Sequence, residues 1–314
     1  MTNKYDKIVS IIVPVFNVDQ FVFDALMSIE NQTYNCNIEL IVINDGSTDN
    51  SLKIVEDFFS ISKLSLKYLY SFSENRGPSF ARNFGIEHSK GKYIYFLDSD
   101  DILKNTTIEE CVSMIEKTDV DLITFNSVFF NDISEIETNK KVGFKNLKGN
   151  NVYGMREFLE RVNKQRLTAV WMYFYKREFI KSLDELFYEG IFYEDALFTE
   201  RCHISFDKIL FYNEILVYHR INVNSITQEV DNSDFRAFSY TKVLEQTKKL
   251  IEKTDDGCVK KYLSYQQGMT LNELIKFKRL SIRDLIKMKD KFKARWSVKD
   301  FIKAMRIEIQ RIKG

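Results

Sequence analysis

Between residues 8 and 130, short apolar runs rich in β-branched residues alternate with segments of helical period. Ile8–Val15, Ile38–Ile43, Leu66–Tyr70, Tyr93–Leu97 and Asp121–Phe129 read as strands. Gln20–Glu30, Asp49–Phe59, Ser79–His88 and Thr106–Glu116 read as helices, the last opened by two overlapping capping-box matches, Thr106 with Glu109 and Thr107 with Glu110. Parallel strands need a long crossover, and a helix supplies it. The alternation therefore restricts this part of the chain to an α/β fold, a mostly parallel, Rossmann-like sheet flanked by helices. Such sheets bind ligands beyond the carboxyl ends of their strands, so the residues after each strand matter most.

The first strand closes on Pro14, Val15, Phe16 and Asn17, where a flat aromatic either stacks on a base or joins the core. The second closes on Asn44-Asp45-Gly46-Ser47-Thr48-Asp49. Asp45 can accept hydrogen bonds from a ring N–H or a ribose hydroxyl, Gly46 permits a tight turn, and Asp49 can cap the next helix. The fourth closes on Asp98-Ser99-Asp100-Asp101. Residues two apart on an extended segment share a face, so Asp98 and Asp100 would repel unless a cation or protons intervene. A hard divalent ion with oxygen ligands, Mg²⁺ or Mn²⁺ bridging to a diphosphate, answers that need. Arg82, early in its helix, reaches a phosphate, a base or Asp45 itself.

Two later clusters carry chemistry. Glu194 and Asp195 open an amphipathic helix, where Asp195 is either an N-cap or a base for an acceptor hydroxyl. His219, Arg220 and Ser225 lie on one segment that could complete a metal site and neutralise a leaving diphosphate.

Taken together, five ordered blocks, IIVPVFN, IELIVINDGSTDNS, NRGPSFARNFGI, GKYIYFLDSDD and FYEDALFTERC, resemble family 2 glycosyltransferases of the GT-A fold, in particular bacterial enzymes that build surface polysaccharides such as capsule or lipopolysaccharide. The resemblance covers about Val9 to Thr227. It implies an inverting transferase with a nucleotide-sugar donor, most often a UDP-sugar, and Mn²⁺ or Mg²⁺. It places Val15 and Phe16 against the nucleobase, Asp45 on the base N–H, and Arg82 beside base and pyrophosphate. Asp98-Ser99-Asp100 matches the DXD motif, with Asp98 toward ribose or sugar and Asp100 on the metal. Asp195 matches the catalytic base, Glu194 positions acceptor or donor, and Arg220 and Ser225 grip the diphosphate. Many relatives have Tyr at the place of His219, which leaves its metal role open. Trp171, ahead of Tyr175-Lys176-Arg177-Glu178-Phe179, lines the acceptor site or the core.

Charge divides the chain. Lys276–Gly314 holds 14 Lys/Arg against 4 Asp/Glu, a balance of +10 in a chain of formal charge +1. The expected organisation is a transferase domain over 1–230 and a helical basic region over 231–314. Leu285–Ile312 has helical apolar spacing, and three readings stand: a membrane-surface helix that meets a lipid-linked acceptor, a packing or homodimer element, and a solvated face. No recognition motif accompanies the charge, so nucleic acid is not an expected partner. Four cysteines without CxxC spacing point to a reducing compartment. The expected location is cytoplasmic, with peripheral contact at the inner face of the membrane if the basic helix binds lipid. A glycan or lipid-linked hydroxyl is the expected acceptor. The alternative function is a catalytically silent subunit that binds a nucleotide sugar.

Overall fold

The computed structural model describes residues 8–34, 37–131, 141–221, 233–277 and residue 287. The chain forms two compact units that interleave along the sequence: residues 1–155, 169–190 and 205–223, and residues 156–168, 191–204 and 224–314.

The first unit is built on a ten-stranded sheet. Its strands are β1 (Val9–Val15), β2 (Ile38–Asp45), β3 (Leu66–Phe72), β4 (Tyr93–Phe96), β5 (Ile102–Leu103), β6 (Leu122–Phe130), β7 (Lys141–Val142), β8 (Asn151–Gly154), β9 (Tyr173–Lys176) and β10 (Lys208–Arg220). The helices α1 (Val22–Glu30), α2 (Ser51–Ile61), α3 (Pro78–His88), α4 (Thr107–Thr118) and α6 (Arg177–Lys181) belong with it. The main strand order is β3-β2-β1-β4-β9-β6-β10-β5. The long ladders β1–β2, β2–β3 and β6–β10 are parallel, as is β1–β4, while the short β9 enters antiparallel between β4 and β6. Because β9 opposes both neighbours, β6 and β10 run the same way as β1, β2 and β4. Their carboxyl ends therefore share one edge of the sheet.

The expected strands and helices are present, with ends shifted by a few residues. Val9, Ile11, Ile12 and Val13 of β1 and every residue of β2 are buried, as continuous apolar strands covered on both faces should be. The polar exceptions are paired: Ser10 Oγ donates to Glu39 Oε2, which also accepts from the Lys90 N–H. Pro14 is tolerated in a central strand for a geometric reason. Ile12 bonds toward β4 by accepting from the Leu97 N–H, and residue 14 faces that same side, where the ladder with β4 has already ended. At Gly85 of α3, an added Cβ would stand 2.5 Å from Ile12 Cγ2, so glycine sets how closely α3 approaches β1.

The capping boxes do not form. Thr106 precedes α4 without a side-chain cap. Glu109 instead accepts from Thr33, and Glu110 is held by Lys104, Thr106 and Tyr212, while Thr107 Oγ1 donates to the Leu216 carbonyl. Tertiary partners outcompete the local motif.

The second unit comprises α5 (Met155–Val162), α7 (Glu194–His203), α8 (Ser233–Lys253) and α9 (Gly257–Phe277). Helices α8 and α9 pack against each other, and α7 packs on α8. Polar groups are sealed inside this unit. Glu200 accepts from the Thr247 hydroxyl at 2.7 Å, and His203 Nδ1 lies 2.7 Å from the Tyr262 hydroxyl. Burial pushes Glu200 up to about 7 from 4.5, and burial pulls His203 down to about 3 from 6.5. Between pH 4.5 and 6.5 the folded unit keeps its proton on Glu200 and the unfolded chain on His203, so the two effects cancel. Below that window the unfolded chain binds one proton more, and stability falls as the pH falls. His203→Gln is expected to flatten this acid limb between pH 3 and 4.5 in pH-dependent denaturation. Equal slopes in both proteins would contradict the assignment.

Among the described residues no helix is long and apolar enough to cross a membrane.

Candidate active site

In the first unit β1 has β2 on one side and β4 on the other, so the chain changes direction across the sheet beside β1. That is where an open α/β sheet leaves a crevice at its carboxyl edge. Residues 14–17, 44–49 and 98–101 follow β1, β2 and β4 at that edge, and His219 and Arg220 end β10 there.

Val15 is fully buried, Phe16 is half-buried, and Asn17 is exposed in a left-handed conformation at φ 50°. The Asn17 side-chain Oδ1 accepts from the Thr48 N–H at 2.8 Å, which ties the loops after β1 and β2 together. Asp45 is buried at the end of β2. Its carboxylate accepts the backbone N–H of Arg76 at 3.0 Å and of Gly77 at 2.7 Å. Burial raises its pKa, and these two donors partly offset that. Gly46 turns the chain at φ 76°, and a Cβ there would sit 2.7 Å from the Glu74 backbone. Asp49 bonds the Ser51 and Asp19 N–H groups, so it braces the start of α2 from just outside the cap position.

Arg82 does not meet Asp45. Its Nη2 pairs with Asp98 Oδ1 at 2.8 Å, with Arg82 buried and Asp98 partly exposed. The expected extended geometry of Asp98 and Asp100 is replaced by a turn, closed by the Asp101 N–H donating to the Asp98 carbonyl at 3.0 Å. The same-face argument for two residues on a strand therefore does not apply, because β4 ends at Phe96. Ser99 is buried, and Asp100 is half-buried.

Asp101 is fully buried and anchors this turn to β10. Its Oδ1 accepts the Arg220 N–H at 3.0 Å, and its two oxygens lie 2.8 and 2.9 Å from His219 Nδ1. Burial raises the Asp101 pKa. Burial pulls the His219 imidazole down, but the carboxylates of Asp101, Asp98 and Asp100 outweigh it and raise it. The His219 ring stacks on Trp171 at 4.7 Å and 18°, and meets Phe129 edge-on at 5.1 Å. Trp171 is buried beneath that ring in a 3₁₀ turn. Arg220 donates from Nε to the Asp100 carbonyl at 3.1 Å and from Nη2 to Asp24 at 3.2 Å. Its guanidinium lies between the rings of Phe21 and Phe130 at 4.8 and 4.7 Å. Among the described residues no three His, Cys, Asp or Glu side chains converge at metal-ligating spacing.

In the second unit, Glu194 and Asp195 begin α7, preceded by Tyr193 in the left-handed region at φ 64°. A left-handed non-glycine residue costs about 1 kcal/mol, and Tyr193 stacks on Tyr240 at 4.2 Å and 12°. Asp195 is thus not the N-cap. Its Oδ1 accepts the Ala196 N–H at 2.8 Å, and its Oδ2 accepts from the Thr168 hydroxyl at 3.2 Å. Glu194 is buried.

Structure thus joins Asp45 to the 76–77 loop, Arg82 to Asp98, and the Asp98–Asp101 turn to His219 and Arg220. Ser225, and nearly all of the basic segment from 276 to 314, lie outside the described residues. Sequence pattern assigned Asp101 no task of its own and did not pair Trp171 with His219. A third acid directly after the DXD pair, where the chain re-enters the fold, was the available signal.

The family model for glycosyl transferase family 2 matches residues 10–183, and the chain belongs to that family. Glycosyltransferase GlyA of Streptococcus pneumoniae is 30% identical over 233 residues, which cover 71% of this chain and 32% of GlyA. This chain thus spans about a third of that relative. S. aureus TarS 1–349, solved in complex with UDP-GlcNAc, superposes with a TM-score of 0.70 at 17% identity, covering 98% of this chain and 92% of TarS. The mannosyltransferase PcManGT from Pyrobaculum calidifontis, solved with GDP-Man and Mn²⁺, gives 0.57 at 15% identity, covering 98% of this chain and 88% of that one. The fold is that of the GT-A glycosyltransferases.

Proposed function

We propose that the chain transfers a sugar from a nucleotide sugar, a UDP-sugar, to a hydroxyl of a glycan or lipid-linked acceptor with inversion, as part of bacterial surface polysaccharide synthesis. The observation that supports this best is the set Asp45, Arg82 and Asp98 at one carboxyl edge, held by 2.7 to 3.1 Å contacts that fix their carboxylates and guanidinium. Membership of family 2 and the UDP-GlcNAc complex of TarS point the same way.

Pro14, Val15, Phe16 and Asn17 then frame the base, and Asp45 receives its ring N–H. Arg82 stands beside base and pyrophosphate, with Ser99 behind the Asp98–Asp100 pair. Carboxylate oxygens suit a hard cation, and because no three ligating side chains converge among the described residues, phosphate oxygens and water would complete its shell. Asp98, Asp100 and His219 would hold such an Mn²⁺ or Mg²⁺, which supplies Lewis-acid relief of charge on the departing diphosphate. Arg220 exchanges its partly exposed partner Asp24 for that diphosphate, aided by Ser225. Asp195 takes the proton of the acceptor hydroxyl as its oxygen bonds the anomeric carbon, and the bond from that carbon to the diphosphate oxygen breaks on the opposite face. Glu194 orients the acceptor or donor. The transferase domain is assigned to 1–230. The basic region 231–314 supplies peripheral contact with an anionic membrane at the cytoplasmic face, or a homodimer contact.

Thermal melting with UDP, GDP, dTDP or NAD, each with Mn²⁺ and with EDTA, tests the donor class. Saturating ligand at about 100 times Kd adds roughly 2.7 kcal/mol. A rise of several degrees with UDP and Mn²⁺ alone is expected. An equal rise with NAD, or none with any nucleotide, contradicts the proposal.

A further inference from the structure

We infer that Asp101 and Trp171 are positioning residues that act through His219. This deepens the proposed function and rests on it for the role of His219 toward donor and metal. The imidazole is held on three sides. Trp171 supports one face at 4.7 Å and 18°, Phe129 closes another direction edge-on at 5.1 Å, and Asp101 takes Nδ1 at 2.8 Å. A carboxylate only accepts, so Nδ1 donates to it and Nε2 is the nitrogen directed away from Asp101. The same Asp101 oxygen receives the Arg220 N–H, and Arg220 Nε holds the Asp100 carbonyl. One fully buried carboxylate thereby fixes both the ring and the turn that carries Asp98 and Asp100. A carboxylate that orients a metal-ligating imidazole in this way typically governs metal affinity about 10–100-fold.

The test is a double-mutant cycle on Asp101→Asn and His219→Ala, read as Mn²⁺-dependent UDP affinity and, without any ligand, as the ¹⁵N-imidazole spectrum. Asn leaves Nδ1 only the neutral oxygen it shares with the Arg220 N–H, in place of a carboxylate, so the Nδ1–H is held more weakly while Arg220 keeps its acceptor. UDP affinity is expected to fall about tenfold in Asp101→Asn and in His219→Ala, and no further in the double variant. The ligand-free spectrum is expected to show a slowly exchanging Nδ1–H in the wild type that exchanges faster in Asp101→Asn. Trp171→Phe keeps a flat support and should retain that signal, whereas Trp171→Leu should broaden it. Losses that multiply in the double variant, or an unchanged Nδ1–H in Asp101→Asn, overturn the inference. If the wild type binds no UDP, the donor reading fails, and the ligand-free spectrum still decides the clamp.

Discussion

Replacing Asp195 with asparagine is expected to lower kcat for sugar transfer by about 10²–10⁴-fold, the usual worth of a general base. The local structure explains why this substitution isolates chemistry. Asp195 occupies the first turn of α7, where its Oδ1 takes the Ala196 N–H and its Oδ2 takes the Thr168 hydroxyl. An asparagine carbonyl oxygen can keep one of these bonds, and the amide nitrogen can donate where Oδ2 accepted. What it cannot do is receive a proton. The cost to stability is therefore confined to the lost favourable charge at a helix N-terminus, about 0.3–1 kcal/mol. Donor KM should stay within about twofold, since the missing interaction belongs to the transition state. Steady-state kinetics against a UDP-sugar and acceptor separate the two parameters. Unchanged kcat would remove Asp195 from the role of base.

The second large effect concerns Asp45 and falls on stability and binding together. Its carboxylate is the acceptor for two backbone N–H groups, Arg76 and Gly77, in a buried position. Alanine leaves the Arg76 N–H without its acceptor, while the Gly77 N–H keeps the Asn75 Oδ1 at 2.9 Å. An orphaned donor costs about 1–3 kcal/mol, so Asp45→Ala should lose about 1–3 kcal/mol of stability. The loop holding Arg76 and Gly77 leads directly into α3 and Arg82, so the Arg82–Asp98 pair loosens with it. UDP affinity is expected to drop by about tenfold or more, as for loss of a charged hydrogen-bond partner. Asp45→Asn retains a carbonyl acceptor and should recover much of the stability but little of the affinity, because the base N–H then meets a weaker acceptor. Denaturant melts and UDP titration report the two effects separately. Wild-type values of both in Asp45→Ala would contradict the role given to this residue.

Much of the fold was legible in the sequence because parallel strands covered on both faces read as continuous apolar runs. The segment 38–45 shows it best, since every residue in it is buried. Helices were equally legible where one face is apolar, as in α2. Three features were not. The antiparallel β9 between β4 and β6 depends on pairing between distant segments, such as Ile94 with Tyr175 and Ile123 with Phe174, which no local pattern encodes. The turn at Asp98–Asp101 replaced the expected extension because β4 ends two residues earlier and Asp101 is drawn to β10. The capping boxes at Thr106 and Thr107 failed because Thr33, Tyr212 and the Leu216 carbonyl offered stronger partners. The strand-end candidates Asp45 and Asp98 were found because an acidic residue just past a buried strand has few structural uses, and Arg82 because it lies early in α3 within reach of the same edge. Asp101 was obscured because its partners, His219 and Arg220, lie more than 100 residues away.

Release of UDP from a panel of UDP-sugars, with Mn²⁺ and with a mixture of glycan and lipid-linked acceptors, measures sugar transfer and its base together. The wild-type chain is expected to release UDP in a reaction that EDTA suppresses and Asp195→Asn abolishes, with the Asp195→Asn protein still binding UDP. UDP release at equal rates from the wild type and Asp195→Asn, or none from the wild type with any UDP-sugar, would contradict the proposed transfer.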